Sequence, residues 1–200
     1  MESRLRQRQR IAIEVARRLA EYGHQDDAGR VRRDVARDLG ISDPRALPDR
    51  ADIEAALDAR QRLFGAPDQA AHLQRLRGAA VEAMVALRAF SPRLTGAVLD
   101  GRSGPDSGIE LHLHSDNPDE IVIWLAERGI PASSGLRRIR LDASEDWRAP
   151  SHSFSADGLP VTLVVLPLRA LHQPPLDRLD GRPVARAAIE RVRRLHEDAS

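Results

Sequence analysis

Apolar residues recur with a helical period over the first ninety positions and with a strand period after Pro92. Ile11, Val15 and Leu19 fall at i, i+4 and i+8, with Ala12 and Ala16 beside them and arginines between, so the pattern predicts a helix stopping near Gly23. Val31, Val35 and Leu39 predict a second helix, opened by Asp26 and Asp27 where the positive helix end favours acids, and closed by Gly40. Ile53, Leu57 and Phe64 line a third, from Asp49 to Gly65. Pro67 opens a fourth, at a position where its missing N–H costs nothing. Leu73, Leu76, Ala80, Met84, Leu87 and Phe90 make its stripe before Ser91-Pro92 ends it.

Beyond Pro92, RLTGAVLD and GIELHLHS read as two strands joined by the turn-forming RSGPDS. Asn117-Pro118 opens a helix carrying Ile121, Trp124 and Leu125 and ending at Gly129. RRIRLD and SFSADGLPVTLVVLP follow as strands, with Asp157-Gly158 as a turn and VTLVVL apolar enough for the centre of a sheet. HQPPLDRLDGRP reads as a surface connector, and a last helix from about Val184 to His196 carries Ile189, Val192 and Leu195. The order predicts an α+β fold: a helical amino-terminal region over 1–91, then a mixed-sheet α/β layer over 92–200.

Composition narrows the chemistry. Thirty-one basic and 30 acidic groups leave a net charge of +1, so no global field draws the chain to nucleic acid or anionic lipid. Every basic residue is Arg, which excludes Schiff-base and P-loop lysine chemistry; coding bias explains the arginines, alongside the abundant alanine. Cysteine is absent, which excludes disulfides, thiolate nucleophiles and cysteine metal sites. With no long apolar run and no secretory-type start in MESRLRQRQR, the expectation is a cytoplasmic protein without a membrane partner. RDVARDLGIS imitates half of a helix-turn-helix, but Pro44 and Pro48 would break a recognition helix, and only six aromatics (FWY) are present to stack on bases. Nucleic acid is not an expected partner.

One stretch concentrates chemistry: GAVLDGRSGPDSGIELHLHSD, residues 96–116. Gly96 and Ala97 let backbone approach a ligand closely, and Ser107 offers a hydroxyl or caps a turn. Along the strand Ile109, Leu111 and Leu113 point one way, and Glu110, His112 and His114 the other. The stretch resembles the signature of the polymerase-beta-type nucleotidyltransferases: Gly-Ser, a glycine-containing loop, then Ser-Asp-x-Asp. The whole chain resembles a bacterial family of nucleotidyltransferase-like proteins, on stretches such as ADIEAALDARQRLF, PRLTGAVLDG and LHLHSD. The resemblance implies a nucleotidyltransferase-like fold after residue 92 and a nucleoside triphosphate docked near Gly96, Ala97 and Ser107. It implies two Mg²⁺ ions held by three carboxylates, clamping the attacking and leaving oxygens. Alignment puts Gly108 at the first carboxylate, Glu110 at the second and Thr162 at the third, so one of three remains.

Three readings of this face stay open. In the first, Asp100 or Asp106 replaces a lost ligand and Glu110 acts as the catalytic metal ligand with Mg²⁺. In the second, Glu110 with His112, or His112 with His114, holds a softer ion with help from His152 or His172, since only adjacent pairs on a strand reach one ion. In the third, the face lines a solvated groove without chemistry. Arg137, Arg138 and Arg140 flank it and suit a triphosphate or a solvated edge equally well. The functional expectation is a nucleotidyltransferase-like, nucleotide-binding protein with a degenerate metal site. The alternative is a non-catalytic interaction protein that meets a protein partner through its helical half.

Overall fold

The computed structural model describes residues 3–22, 28–64, 67–104, 107–142, 146–177 and 179–198 of the 200-residue chain. Gly23, Asp26, Asp27, Gly65 and Asp106, singled out above, lie outside the described residues, as does the Phe64 side chain. The architecture is α+β, with helices α1 (Arg4–Tyr22), α2 (Ala28–Asp38), α3 (Arg50–Phe64) and α4 (Pro67–Ala86) preceding the sheet. Strand β1 (Arg93–Thr95), the one-turn helix α5 (Ala97–Asp100), β2 (Ile109–His114), α6 (Asp119–Glu127), β3 (Ser133–Arg140), β4 (Asp146–Ala156), β5 (Leu159–Leu166) and α7 (Ile189–Glu197) follow.

Two apolar clusters divide the helices. Ile11, Val15, Leu19, Val35 and Ile53 are buried together, which joins α1, α2 and α3. Asp49 starts α3 with a reciprocal cap: its carboxylate accepts from the Asp52 N–H at 3.0 Å, and the Asp52 carboxylate accepts from the Asp49 N–H at 2.9 Å. Pro44 and Pro48 bracket a single 3₁₀ turn over Pro44–Ala46, with Asp43 accepting from the Arg45 N–H, so no recognition helix follows α2. Helix α4 belongs to the second cluster. Leu76, Ala80, Met84 and Leu87 pack against Leu94, Ile109, Leu111, Leu113, Ile121 and Val192, so the two apolar clusters separate between α3 and α4. Each large aliphatic buried here contributes about 1.5–3 kcal/mol.

The sheet order is β1-β2-β5-β4-β3. Only β2 and β5 run parallel, in the register Glu110 with Thr162 and His112 with Val164. Parallel neighbours need cover on both faces. Helices α4, α6 and α7 supply it on the side of Leu111, Leu163 and Val165. The residues after β5 supply it on the other. The Leu176 N–H donates to the Arg140 carbonyl at 2.7 Å on the β3 edge, while Ala187 and Leu94 exchange two 2.9 Å bonds on the β1 edge. The segment 172–187, expected as a surface connector, is therefore a strap across the second face. It crosses as a hairpin closed by Val184 N–H to the Pro175 carbonyl at 2.8 Å and Asp177 N–H to the Arg182 carbonyl at 2.7 Å. Two further expectations shift: RLTGAVLD gives a three-residue strand that breaks into α5 at Gly96, and the last helix begins at Ile189 rather than Val184.

Candidate functional site

The strap changes the character of β2. Its six residues are all buried, Glu110 keeping 8%, His112 1% and His114 2% of their surface. The solvated groove of the third reading is therefore absent: the polar side of β2 is enclosed, because its neighbours on both sides and the strap above shut out solvent.

At one end of that side the chain leaves β1 through Gly96, at φ 73° and ψ −156°. Such a conformation is open essentially to glycine alone. The register pairs Thr95 with Glu110, so a Cβ on Gly96 would stand 3.7 Å from Glu110 Oε2. Gly96 and Glu110, matched in sequence, meet in space, and Ala97 is the first residue of α5. Ser107 serves its own loop: its Oγ accepts from the Gly104 N–H at 2.8 Å, and its N–H donates to the Gly104 carbonyl at 3.1 Å.

Arg137 reaches Glu110 from the far edge strand, Nη1 donating to Oε1 at 2.9 Å. On a flat sheet the two strands would stand about 14 Å apart, so this contact requires a concave face. Both side chains are largely buried, at 10% and 18% exposure, and such a pair loses about 3–5 kcal/mol when one partner is removed.

The residues do not fit a pair of magnesium ions. Thr162 lies beside Glu110 on β5, with its hydroxyl 3.2 Å from the Ser153 hydroxyl, and adds no charge. Gly108 leaves no space for a carboxylate, since a Cβ there would stand 2.7 Å from the Pro160 carbonyl oxygen and 2.9 Å from Pro160 Cβ. Asp100 sits at the rim of the cavity, where desolvation of its carboxyl raises it above the ordinary aspartate range against the pull of Arg102 and Arg50. Among the described residues no three His, Asp or Glu side chains converge on a common point. For the softer ion, Glu110 and His112 share a face, but His152 pairs with Leu163 on the opposite, helix-covered side, its Nδ1 3.1 Å from the Ser134 hydroxyl. His172 is exposed at the start of the strap.

His114 is committed elsewhere. Its Nδ1–H donates to the Ser91 carbonyl at 2.8 Å, and its Nε2 accepts from Arg186 Nη1 at 3.0 Å. Burial, reinforced by the charges of Arg186 and Arg93, pushes its pKa down to about 4, so the ring is neutral. With both nitrogens engaged it has no lone pair for a metal.

Between β1, β3 and the strap lies a cavity of about 50 Å³, lined by Thr95, Gly96, Asp100 and His112, with Arg50, Arg138 and Arg140 around it. Roughly 10–15 Å³ holds one water, and a drug-sized ligand needs roughly 300 Å³ or more. Phosphate-sized groups fit; a whole nucleotide requires the strap to move. Pattern reading placed Arg137, Arg138 and Arg140 beside the site but not the Arg137–Glu110 bond, which depends on curvature that no local period encodes. It missed Arg93 and Arg186 because the strap alone joins them. No family model, curated protein or solved structure matches the chain.

Proposed function

We propose that this chain is a nucleotidyltransferase-like protein with a degenerate metal site, and that it receives the phosphate end of a nucleoside triphosphate at the Gly96–Glu110 corner without transferring it. The observation that carries this reading is the 2.9 Å bond from Arg137 to Glu110. The one remaining carboxylate of the resemblance is neutralised by a guanidinium, so without any metal its charge no longer repels a phosphate chain at this corner. No metal step is assigned, because Gly108 and Thr162 provide no carboxylate for one.

Calorimetry with ATP, GTP, CTP and UTP tests the reading. Binding of at least one is expected with EDTA present, weakening about ten-fold or more in Arg137→Gln. Binding that requires a divalent ion, or incorporation of a labelled nucleotide into any acceptor, overturns it.

A second reading rests on the helical half. Leu5 and Ile13 of α1 are 78% and 57% exposed, beside Ala12 and the small Ala55, Ala56 and Ala59 of α3, in a groove edged by Arg8 and Arg60. Such a furrow suits a protein partner. Heats indistinguishable from buffer for all four nucleotides favour it over the first.

A further inference from the structure

Glu110 stands at the entry of β2; the exit of the same strand carries a different charge arrangement. His114 lies four residues along, about 13 Å away on the same face. The antiparallel bridge of Leu94 with Ala187 makes Arg93 and Arg186 diagonal neighbours on that face, a spacing of about 7–8 Å. Arg186 belongs to the strap and is partly buried where it meets β2. Its Nη1 donates to His114 Nε2, its Nη2 donates to the Leu171 carbonyl at 3.3 Å, and its Nε is buried without a hydrogen-bond partner. Arg93 donates to the Pro92 carbonyl at 3.1 Å. Among the described residues no carboxylate lies within ion-pair distance of either guanidinium, although the surface arginines of this chain pair freely with aspartate and glutamate.

Two neighbouring cations that are partly desolvated, face a neutral histidine and have no counter-charge are costly to keep. Burial and the charge of Arg93 together pull the Arg186 pKa down to about 10, which is the same cost seen from the proton's side. An anion lying between them removes it. We propose that Arg93 and Arg186 form a phosphate-binding site at the carboxyl end of β2, with the strap supplying Arg186. Guanidinium forks match the oxygens of a phosphate group in pairs. Both residues retain partial exposure, so the site opens to solvent. The same chemistry is met by free phosphate or by the terminal phosphate of a larger molecule. The site does not depend on the nucleotide reading, which concerns the Glu110 end.

Thermal melts and calorimetry with sodium phosphate against sodium chloride at matched ionic strength, on the full chain, test this. Saturable phosphate binding that raises the wild-type Tm is expected, weakened about ten-fold or more in both Arg186→Met and Arg93→Gln. Because Arg186 also holds His114, its variant risks a folding defect; Arg93 bonds only its neighbour's carbonyl on this face, so Arg93→Gln keeps the test sound. Phosphate binding that is lost in Arg137→Gln and kept in Arg93→Gln would belong to the Glu110 corner and would overturn the proposal. Absence of saturable binding up to about 20 mM phosphate, equal affinity in wild type and Arg93→Gln, or binding of ATP with none of phosphate would each overturn the proposal.

Discussion

His114 illustrates how a residue's surroundings decide its chemistry. On an open strand it would titrate near 6.5 and be free to bind metal; held between Ser91 and Arg186 it stays neutral down to about pH 4. The unfolded chain takes up a proton near pH 6.5 while the folded one resists, so stability falls as pH drops from about 6.5 to 4 and levels off below. One such group gives a slope of at most about 1.4 kcal/mol per pH unit. His152, also depressed by burial, adds to the slope in the same direction. We expect the His114 ring to titrate near pH 4 by NMR, and urea midpoints to drop across that window less steeply in His114→Asn; a ring midpoint near 6.5 would contradict the buried arrangement. The alternation of IELHLH was enough to place Glu110, His112 and His114 on one side of a strand. It said nothing of what covers that side, because cover comes from residues some sixty positions away.

Among elements, the parallel pairing of β2 with β5 is what leaves no room for a side chain at Gly108. Gly108 lies just ahead of β2, against Pro160 at the start of β5, and both contacting atoms belong to a rigid proline. Restoring the carboxylate expected at that position, Gly108→Asp, would force the two strands apart. We expect a loss of about 1–3 kcal/mol in chemical denaturation and no gain of magnesium-dependent activity; a Gly108→Asp protein as stable as wild type would show that the junction yields. The helices were the most legible elements. The stripes Ile11–Val15–Leu19 and Leu76–Ala80–Met84–Leu87 are buried as their spacing requires, since a period of 3.6 residues directly reports a covered face. The short elements were not: β1 and α5 share eight residues, too few for any period, and only the positive φ of Gly96 separates them.

At the scale of the whole molecule, the strap is also where the two packing units communicate. Arg50, at the start of α3, bonds Glu54 of its own helix at 2.8 Å and Asp177 of the strap at 3.2 Å, with Asp180 at 3.5 Å. Leu179 packs against the α1–α3 cluster. These ion pairs are half exposed, so their contribution is small, within about 1 kcal/mol. Arg50→Ala should leave the melting temperature nearly unchanged while speeding amide exchange over 175–184; unaltered exchange there would mean that the hairpin is held by its sheet bonds alone. A sheet of this kind leaves two margins whose backbone groups invite a strand from another molecule. Here Leu176 occupies one and Ala187 the other, so twelve residues of one segment guard both margins at once, and the protection against edge-to-edge aggregation rests on a piece of chain with almost no regular structure of its own.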